Sequence, residues 1–168
     1  HAPEAQAVSA GRSSVLVGVL DTGIDDQHPD LRGQVDASVS VSCVGGVPDT
    51  TPSAWSNDVF GHGTHVAGII AGAKNGIGIV GVAPSAKLGA IKVVDDNGLI
   101  MPEAFVCGLQ WASDHGYDLV NASFTIDPFA VYCANDAEQS TIVQVVRRAI
   151  ASAARKRVTV VAATGNEF

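Results

Sequence analysis

The sequence predicts an α/β protein built on a largely parallel sheet. Short apolar runs alternate with longer helix-like stretches, the pattern of strands joined by crossover helices. The first run, Ser14 to Leu20, is almost continuously β-rich, as expected of a strand covered on both faces. The chain has 168 residues, 46% of them hydrophobic and only 16% charged, so a single domain can bury a real core and a disordered chain is excluded.

The remaining elements follow in order. From Asp25 to about Asp58 the chain is polar and turn-rich, with Gly45, Gly46 and three prolines. Helix-like sequence runs from His62 to Ala73, and Lys87 to Val94 reads as a second strand. Pro102 to His115 reads as a helix with proline in its first turn. Asp118 to Phe124 is strand-like. Glu138 to Lys156 is the strongest helix candidate: Ile142, Val145, Val146 and Ile150 form one stripe, and basic residues gather toward the C-terminal end, where cations suit the helix dipole. Arg157 to Ala163 closes with another strand.

Composition narrows the function classes. No apolar run approaches the roughly 18 residues that a membrane span requires, and none resembles a signal peptide. A formal charge of −7 argues against electrostatic binding to nucleic acid or an anionic membrane. Cys43, Cys107 and Cys133 lack the paired spacing of a zinc or redox motif. They fit either three buried thiols, or a secreted protein with one disulfide and one cysteine left over. The glycosylation triplet Asn121-Ala122-Ser123 ends an apolar run and is read as buried.

Open parallel sheets bind ligands beyond the carboxyl ends of their strands. That rule selects Asp21-Thr22-Gly23, Asp95-Asp96-Asn97-Gly98, Ser123-Phe124-Thr125 and Gly165-Asn166-Glu167 as one rim. A lone Asp-Thr-Gly is often a turn. The aspartic-peptidase use of that triplet needs two carboxylates on an all-β fold, and this chain has one on an α/β pattern. Gly76-Ile77-Gly78-Ile79-Val80-Gly81 matches a dinucleotide fingerprint but follows a helix and runs into Pro84, so it reads as a glycine-rich loop. His62-Gly63-Thr64-His65 has the spacing of two metal ligands on a helix face, yet no third ligand has an evident place. The alternative is one chemical and one structural histidine. An aspartate on a strand end and a histidine starting a helix form the base half of a nucleophilic triad: the carboxylate fixes the tautomer, and the imidazole takes the nucleophile's proton. Asn166, on the same rim, becomes a candidate oxyanion donor.

The segments VGVLDTGIDDQHPDL, GHGTHVAGIIAG, GIVGVAPSAKLGAIKV and VVAATGNE occur in order and together resemble the subtilisin-like serine peptidases. The resemblance runs from about Ala2 to Glu167. It implies a three-layer α/β/α fold, with residues 1–168 as the N-terminal portion of one peptidase domain. It also implies Asp21 as triad acid, His62 as general base and Asn166 as oxyanion donor. Gly98-Leu99-Ile100 and Ser123-Phe124-Thr125 would be two extended segments that bind substrate backbone by strand addition. Leu99, Ile100 and Thr125 stand where the family often has smaller residues. Calcium would be held by Asp30 and Asn75 with carbonyls of the loop Ala73 to Ile79, namely Ala73, Ile77 and Ile79, oxygen ligands that suit this ion. A further family ligand falls upstream of His1.

The family's nucleophilic serine lies in a motif downstream of the oxyanion asparagine, past Phe168. Ser123 belongs to the substrate strand, and Ser113, Ser140 and Ser152 lie in helices without the strained turn a nucleophile needs. The expectation is therefore a secreted serine endopeptidase whose serine is supplied by a C-terminal segment of the same protein, this chain alone being inactive. Cys107 with Cys133 is the internal disulfide expected by resemblance, leaving Cys43 for that segment, and without the sheet's remaining strands an apolar edge would be exposed. The implied partners are a polypeptide substrate, that C-terminal segment, and a pro-segment or protein inhibitor, with no nucleic acid or membrane. A noncatalytic scaffold or binding module is the alternative, against which Asp21, His62 and Asn166 all speak.

Overall fold

The computed structural model describes residues 2–129, 131–133 and 135–165. Five strands form one parallel sheet: β1 (Leu16–Asp21), β2 (Val41–Ser42), β3 (Lys87–Lys92), β4 (Leu119–Ala122) and β5 (Thr159–Ala162). Their spatial order is β2-β3-β1-β4-β5. The helices are α1 (Ala2–Val8), α2 (Pro52–Ser56), α3 (His62–Ala71), α4 (Pro102–Asp114) and α5 (Ala137–Arg155). This is the layered α/β fold that the sequence predicts.

Strand parity assigns the two faces. Side chains alternate along a strand, so Val17 and Val19 point one way and Leu20 the other. Val17 and Val19 share a core with Ala67 and Ala71 of α3. Leu20 packs instead with Phe105 and Leu109 of α4 and Ala153 of α5. Each fully buried aliphatic side chain contributes about 1.5–3 kcal/mol relative to exposure. Asp21 has the parity of Val17 and Val19, which aims it at the face that α3 covers.

One crossing of the sheet needs a missing side chain. A Cβ on Gly89 would lie 1.9 Å from the Tyr117 hydroxyl oxygen, so β3 carries glycine where that ring passes. The hydroxyl donates to the Val39 carbonyl at 2.9 Å. Burial, together with the charge of Asp36, pushes ionisation of Tyr117 far up from its ordinary value.

The helix ends follow local chemistry. Pro102 occupies the first turn of α4. Asp136 caps α5, its carboxylate accepting from the Gln139 amide at 2.9 Å, with Glu138 in the first turn and Arg155 in the last. The stretch expected to be turn-rich contains β2 and α2 as well. Two strand residues are too few to show a period; β2 exists because Val41 and Ser42 add to the edge of β3. The α1 segment lies outside the expectations, which begin at Ser14.

The disulfide pairing differs from the expectation. Cys43 is joined to Cys107, and Cys133 is free and exposed. Cys43 follows β2 into the core, where α4 brings Cys107 to a Cα separation of 5.7 Å. Cys133 sits in the loop before α5. Closing a loop of this length constrains the unfolded chain by about 4 kcal/mol in the loop-entropy treatment. Alkylation of the native, unreduced protein is accordingly expected to add a single adduct, on Cys133. Peptide mapping that finds the adduct on Cys43 or Cys107 would contradict the pairing.

Candidate active site

The chain leaves β1 to build β2 and β3 on one side, then crosses back to lay β4 and β5 on the other. The carboxyl end of β1 is therefore the switch point at which open parallel sheets form a crevice. Asp21 is its last residue, and α3 begins beside it with His62.

The close approach of α3 depends on Gly63. A Cβ there would stand 2.1 Å from the Gly23 carbonyl oxygen and 3.0 Å from the Asp21 Cβ. With only hydrogen at that position, the Gly63 amide donates to Thr22 Oγ1 at 2.8 Å, and His62 Nδ1 meets Asp21 Oδ1 at 2.7 Å. Asp21 Oδ1 also accepts from the Thr22 amide at 2.8 Å. The Asp21 side chain is 2% exposed while that of His62 is 52% exposed, so the imidazole bridges a buried carboxylate and open solvent. Among the described residues Asp21 is the only hydrogen-bond partner of the His62 ring, leaving Nε2 accessible. Asp21 Oδ2 is buried with no partner among them.

Asp58 holds this corner together. Its Oδ1 accepts from Thr22 Oγ1 at 2.7 Å and from the Gly61 amide at 2.9 Å; Oδ2 accepts from the Thr64 amide at 2.8 Å and from Thr64 Oγ1 at 2.5 Å. The helix has glycine at its N-cap and no side-chain cap of its own, so this carboxylate serves its free amides from three residues upstream. Burial opposes ionisation of Asp58, but the hydrogen bonds from Thr22 and Thr64 outweigh it and hold the carboxyl below its ordinary value. Lys92, register partner of Asp21, is buried and donates Nζ to the carbonyls of Thr22 at 2.8 Å and Asn57 at 3.2 Å. It thereby ties the end of β1 to the loop that carries Asp58. Neither residue was among the sequence candidates. An acid three residues before the glycine N-cap of a helix, and a lysine inside an apolar strand, are the signals that mark them.

The other predicted residues divide into groups. Gly98 and Leu99 are exposed and Ile100 is buried; Ser123 and Phe124 are half-buried and Thr125 is exposed. Asn166 lies outside the described residues. Ser113 Oγ and Ser140 Oγ donate to carbonyls of their own helix, and Ser123 Oγ accepts from the Asn121 amide, so none of these three hydroxyls is joined to His62. His62 and His65 are not drawn into a metal cluster: among the described residues no three His, Cys, Asp or Glu side chains assemble for an ion.

The Ala73–Ile79 loop folds around Asp30. Its buried carboxylate accepts from the Ile79 amide at 2.9 Å, and a Cβ on Gly78 would lie 2.1 Å from Asp30 Oδ2. Asn75 donates Nδ2 to the Pro29 carbonyl, and its Oδ1 accepts from the Ile77 amide at 3.1 Å. The donors the sequence names here are all oxygens, the chemistry a hard cation such as calcium would need, and three of them, Asp30 Oδ2, Asn75 Oδ1 and the Ala73 carbonyl, already accept backbone amides of the loop. The glycine-rich run that resembles a dinucleotide fingerprint is thus occupied by an aspartate of the same chain.

Comparison with known proteins identifies the line to which this parallel sheet, with its buried Asp21 on a half-exposed His62, belongs. The subtilase family model matches residues 12–168. The chain belongs to the subtilase family of serine peptidases. Subtilisin Savinase of Lederbergia lenta is 40% identical over 166 residues, 99% of this chain and 53% of the relative. Subtilisin DY of Bacillus licheniformis is 35% identical over 165 residues, 98% of this chain and 52% of the relative. The crystal structure of fervidolysin from Fervidobacterium pennivorans, a keratinolytic enzyme, superposes with a TM-score of 0.73 at 31% identity, covering 98% of this chain and 23% of that one. The nisin leader peptidase NisP from Lactococcus lactis gives a TM-score of 0.76 at 28% identity, covering 98% and 47%. The chain spans between 35% and 53% of the length of the curated subtilisins it matches.

Because Asp58 has a lowered carboxyl value, its contribution to stability is complete above the unfolded value of about 3.9 and is lost as pH falls through the folded value. Asp58→Ala is expected to cost about 1–3 kcal/mol in urea unfolding at neutral pH. The gap between variant and wild type should narrow as pH falls below the unfolded value of about 3.9.

Proposed function

We propose that this chain contributes the acid, the base and an oxyanion donor to a secreted serine endopeptidase. The observation that carries the reading is the 2.7 Å contact between His62 Nδ1 and the buried carboxylate of Asp21, with Nε2 left open. Asp21 holds the imidazole with its Nδ1 proton directed inward, so the neutral ring offers Nε2 as the base. The proposed nucleophile is a serine outside the 168 residues, and the isolated chain is expected to hydrolyse nothing.

In this mechanism Nε2 takes the proton from the serine hydroxyl as its oxygen attacks the peptide carbonyl carbon. The imidazolium is stabilised by Asp21 and passes the proton to the leaving amine. Asn166 donates its side-chain amide to the oxyanion, a contact of a kind worth about 2.7–4 kcal/mol in the transition state. Water then attacks the acyl carbon, losing a proton to Nε2, and the bond to the serine oxygen breaks as that oxygen takes the proton back. The keratinolytic activity of fervidolysin and the leader cleavage of NisP both concern polypeptides, which supports a polypeptide substrate here.

Calcium is proposed as a structural ion, held by Asp30, Asn75 and the carbonyls of Ala73, Ile77 and Ile79; when bound it would clamp the loop beside α3 and take no part in the chemistry. A pro-segment or protein inhibitor is a further proposed partner.

Two tests follow. Full-length protein is expected to degrade an unfolded protein substrate, and His62→Ala to lower the rate by about four orders of magnitude or more; undiminished turnover in that variant would overturn the mechanism. Added calcium is expected to raise the unfolding temperature and a chelator to reverse it, with Asp30→Ala indifferent to both.

A further inference from the structure

Two threonines near His62 point their hydroxyl protons at the same carboxylate. Thr22 Oγ1 accepts from the Gly63 amide at 2.8 Å, and Thr64 Oγ1 accepts from the Asp25 amide at 2.9 Å. A hydroxyl carries one proton, so an oxygen that already accepts a backbone amide has one choice left, where to donate. Thr64 donates to Asp58 Oδ2 at 2.5 Å. Thr22 has two carboxylates in reach: Asp58 Oδ1 stands at 2.7 Å and Asp21 Oδ1 at 3.3 Å. The first distance is that of a full hydroxyl–carboxylate bond and the second lies beyond that range, so the proton goes to Asp58.

Asp21 is thereby left with fewer donors than its surroundings could supply. Its Oδ1 accepts from the Thr22 amide at 2.8 Å and meets His62 Nδ1 at 2.7 Å, while the hydroxyl of its neighbour is turned away. Each further donor on a carboxylate would spread its charge and weaken its hold on the imidazole. Asp58 keeps the Thr22 proton because it is fixed from elsewhere, by the amides of Gly61 and Thr64 at 2.9 and 2.8 Å. Thr22 is buried, so its hydroxyl has to settle between these two carboxylates.

We propose that Asp58 is a positioning residue for the reaction: by taking the Thr22 proton it leaves the charge of Asp21 to His62, and so holds the imidazole in the tautomer with hydrogen on Nδ1. The proposal rests on the peptidase reading for its purpose, and it goes beyond the part Asp58 plays in joining strand to helix. Among the described residues Asp58 makes no hydrogen bond to the His62 ring, and its influence passes through the Thr22 hydroxyl. With the charge at 58 removed, that hydroxyl turns to the remaining anion, Asp21, because a carboxylate accepts more strongly than a neutral group. Asp21 then binds the Nδ1 proton less tightly. The form with hydrogen on Nε2, whose outward nitrogen has no lone pair to act as base, gains at its expense.

Ring-nitrogen NMR of His62 tests this without any bond cleavage. Full-length protein with isotopically labelled histidine is observed at about pH 9, where an imidazole is neutral, and His62→Ala identifies the resonances. Asp58→Asn is expected to lower the ratio of the Nδ1–H form to the Nε2–H form by about threefold or more, the scale of one hydrogen bond. Thr22→Ser keeps the hydroxyl and should match wild type. In a Thr22→Val background, where no hydroxyl can turn, Asp58→Asn should move the ratio far less. An unchanged ratio in Asp58→Asn overturns the proposal, and that measurement stands by itself if Thr22→Val fails to fold. An equal fall in both backgrounds also overturns it, since the Asp58 charge would then act directly through space. A full-length protein that shows the expected ratios yet cleaves no polypeptide sinks the peptidase reading and leaves tautomer control by Asp58 standing.

Discussion

The candidate site exists because the first turn of α3 comes within contact of the end of β1, and the hydrogen atom in place of a side chain at Gly63 permits that approach. With a methyl group there the helix would have to withdraw from the Gly23 carbonyl, and the Thr22–Gly63 hydrogen bond and the Asp21–His62 contact would lengthen together. Everything else in the corner reinforces the same contact. Asp58 binds Thr22 on the strand side and Gly61 and Thr64 on the helix side, so one carboxylate spans the junction. Lys92 closes it from beneath through two carbonyls.

This arrangement is expensive, and the cost falls where the chemistry is. Asp21 is a carboxylate buried at the end of an apolar strand, with its partners among the described residues gathered on one oxygen. Lys92 is buried against neutral carbonyls rather than a carboxylate. Both are tolerated because β1 and β3 are pinned by apolar clusters on each face. The core supplies the rigidity, and the rim spends part of it on polar groups held in fixed positions.

Much of the fold was legible from periodicity. The continuous apolar run before Asp21 marks a doubly covered strand, and the stripe Ile142, Val145, Val146, Ile150 marks α5. What escaped was set by tertiary pairing: β2 has only two residues and takes its register from β3, and Asp127 reaches Ile100 across 27 positions of sequence. Asp21 and His62 could be named because their residue types have a joint chemical use at a strand end and a helix start. Asp58 and Lys92 act by holding the corner together, and their only marks in the sequence are an acid ahead of an uncapped helix and a lysine inside an apolar strand. The cysteines illustrate the same limit. Three thiols allow three pairings, and only the docking of α4 against the end of β2 selects Cys43 with Cys107.

The central position of β1 also has a consequence in time. Its two neighbours begin at Lys87 and Leu119, so the strand that is made first during synthesis waits for partners made long after it. Contacts so distant in sequence must wait for large loops to close, which slows folding far more than it affects the final stability. Until β4 has emerged, a run of Leu, Val, Gly, Val and Leu is offered to any other unpaired edge in reach. A chain of this topology therefore gains from anything that covers the edge of β1 during that interval, whether or not it remains bound afterwards.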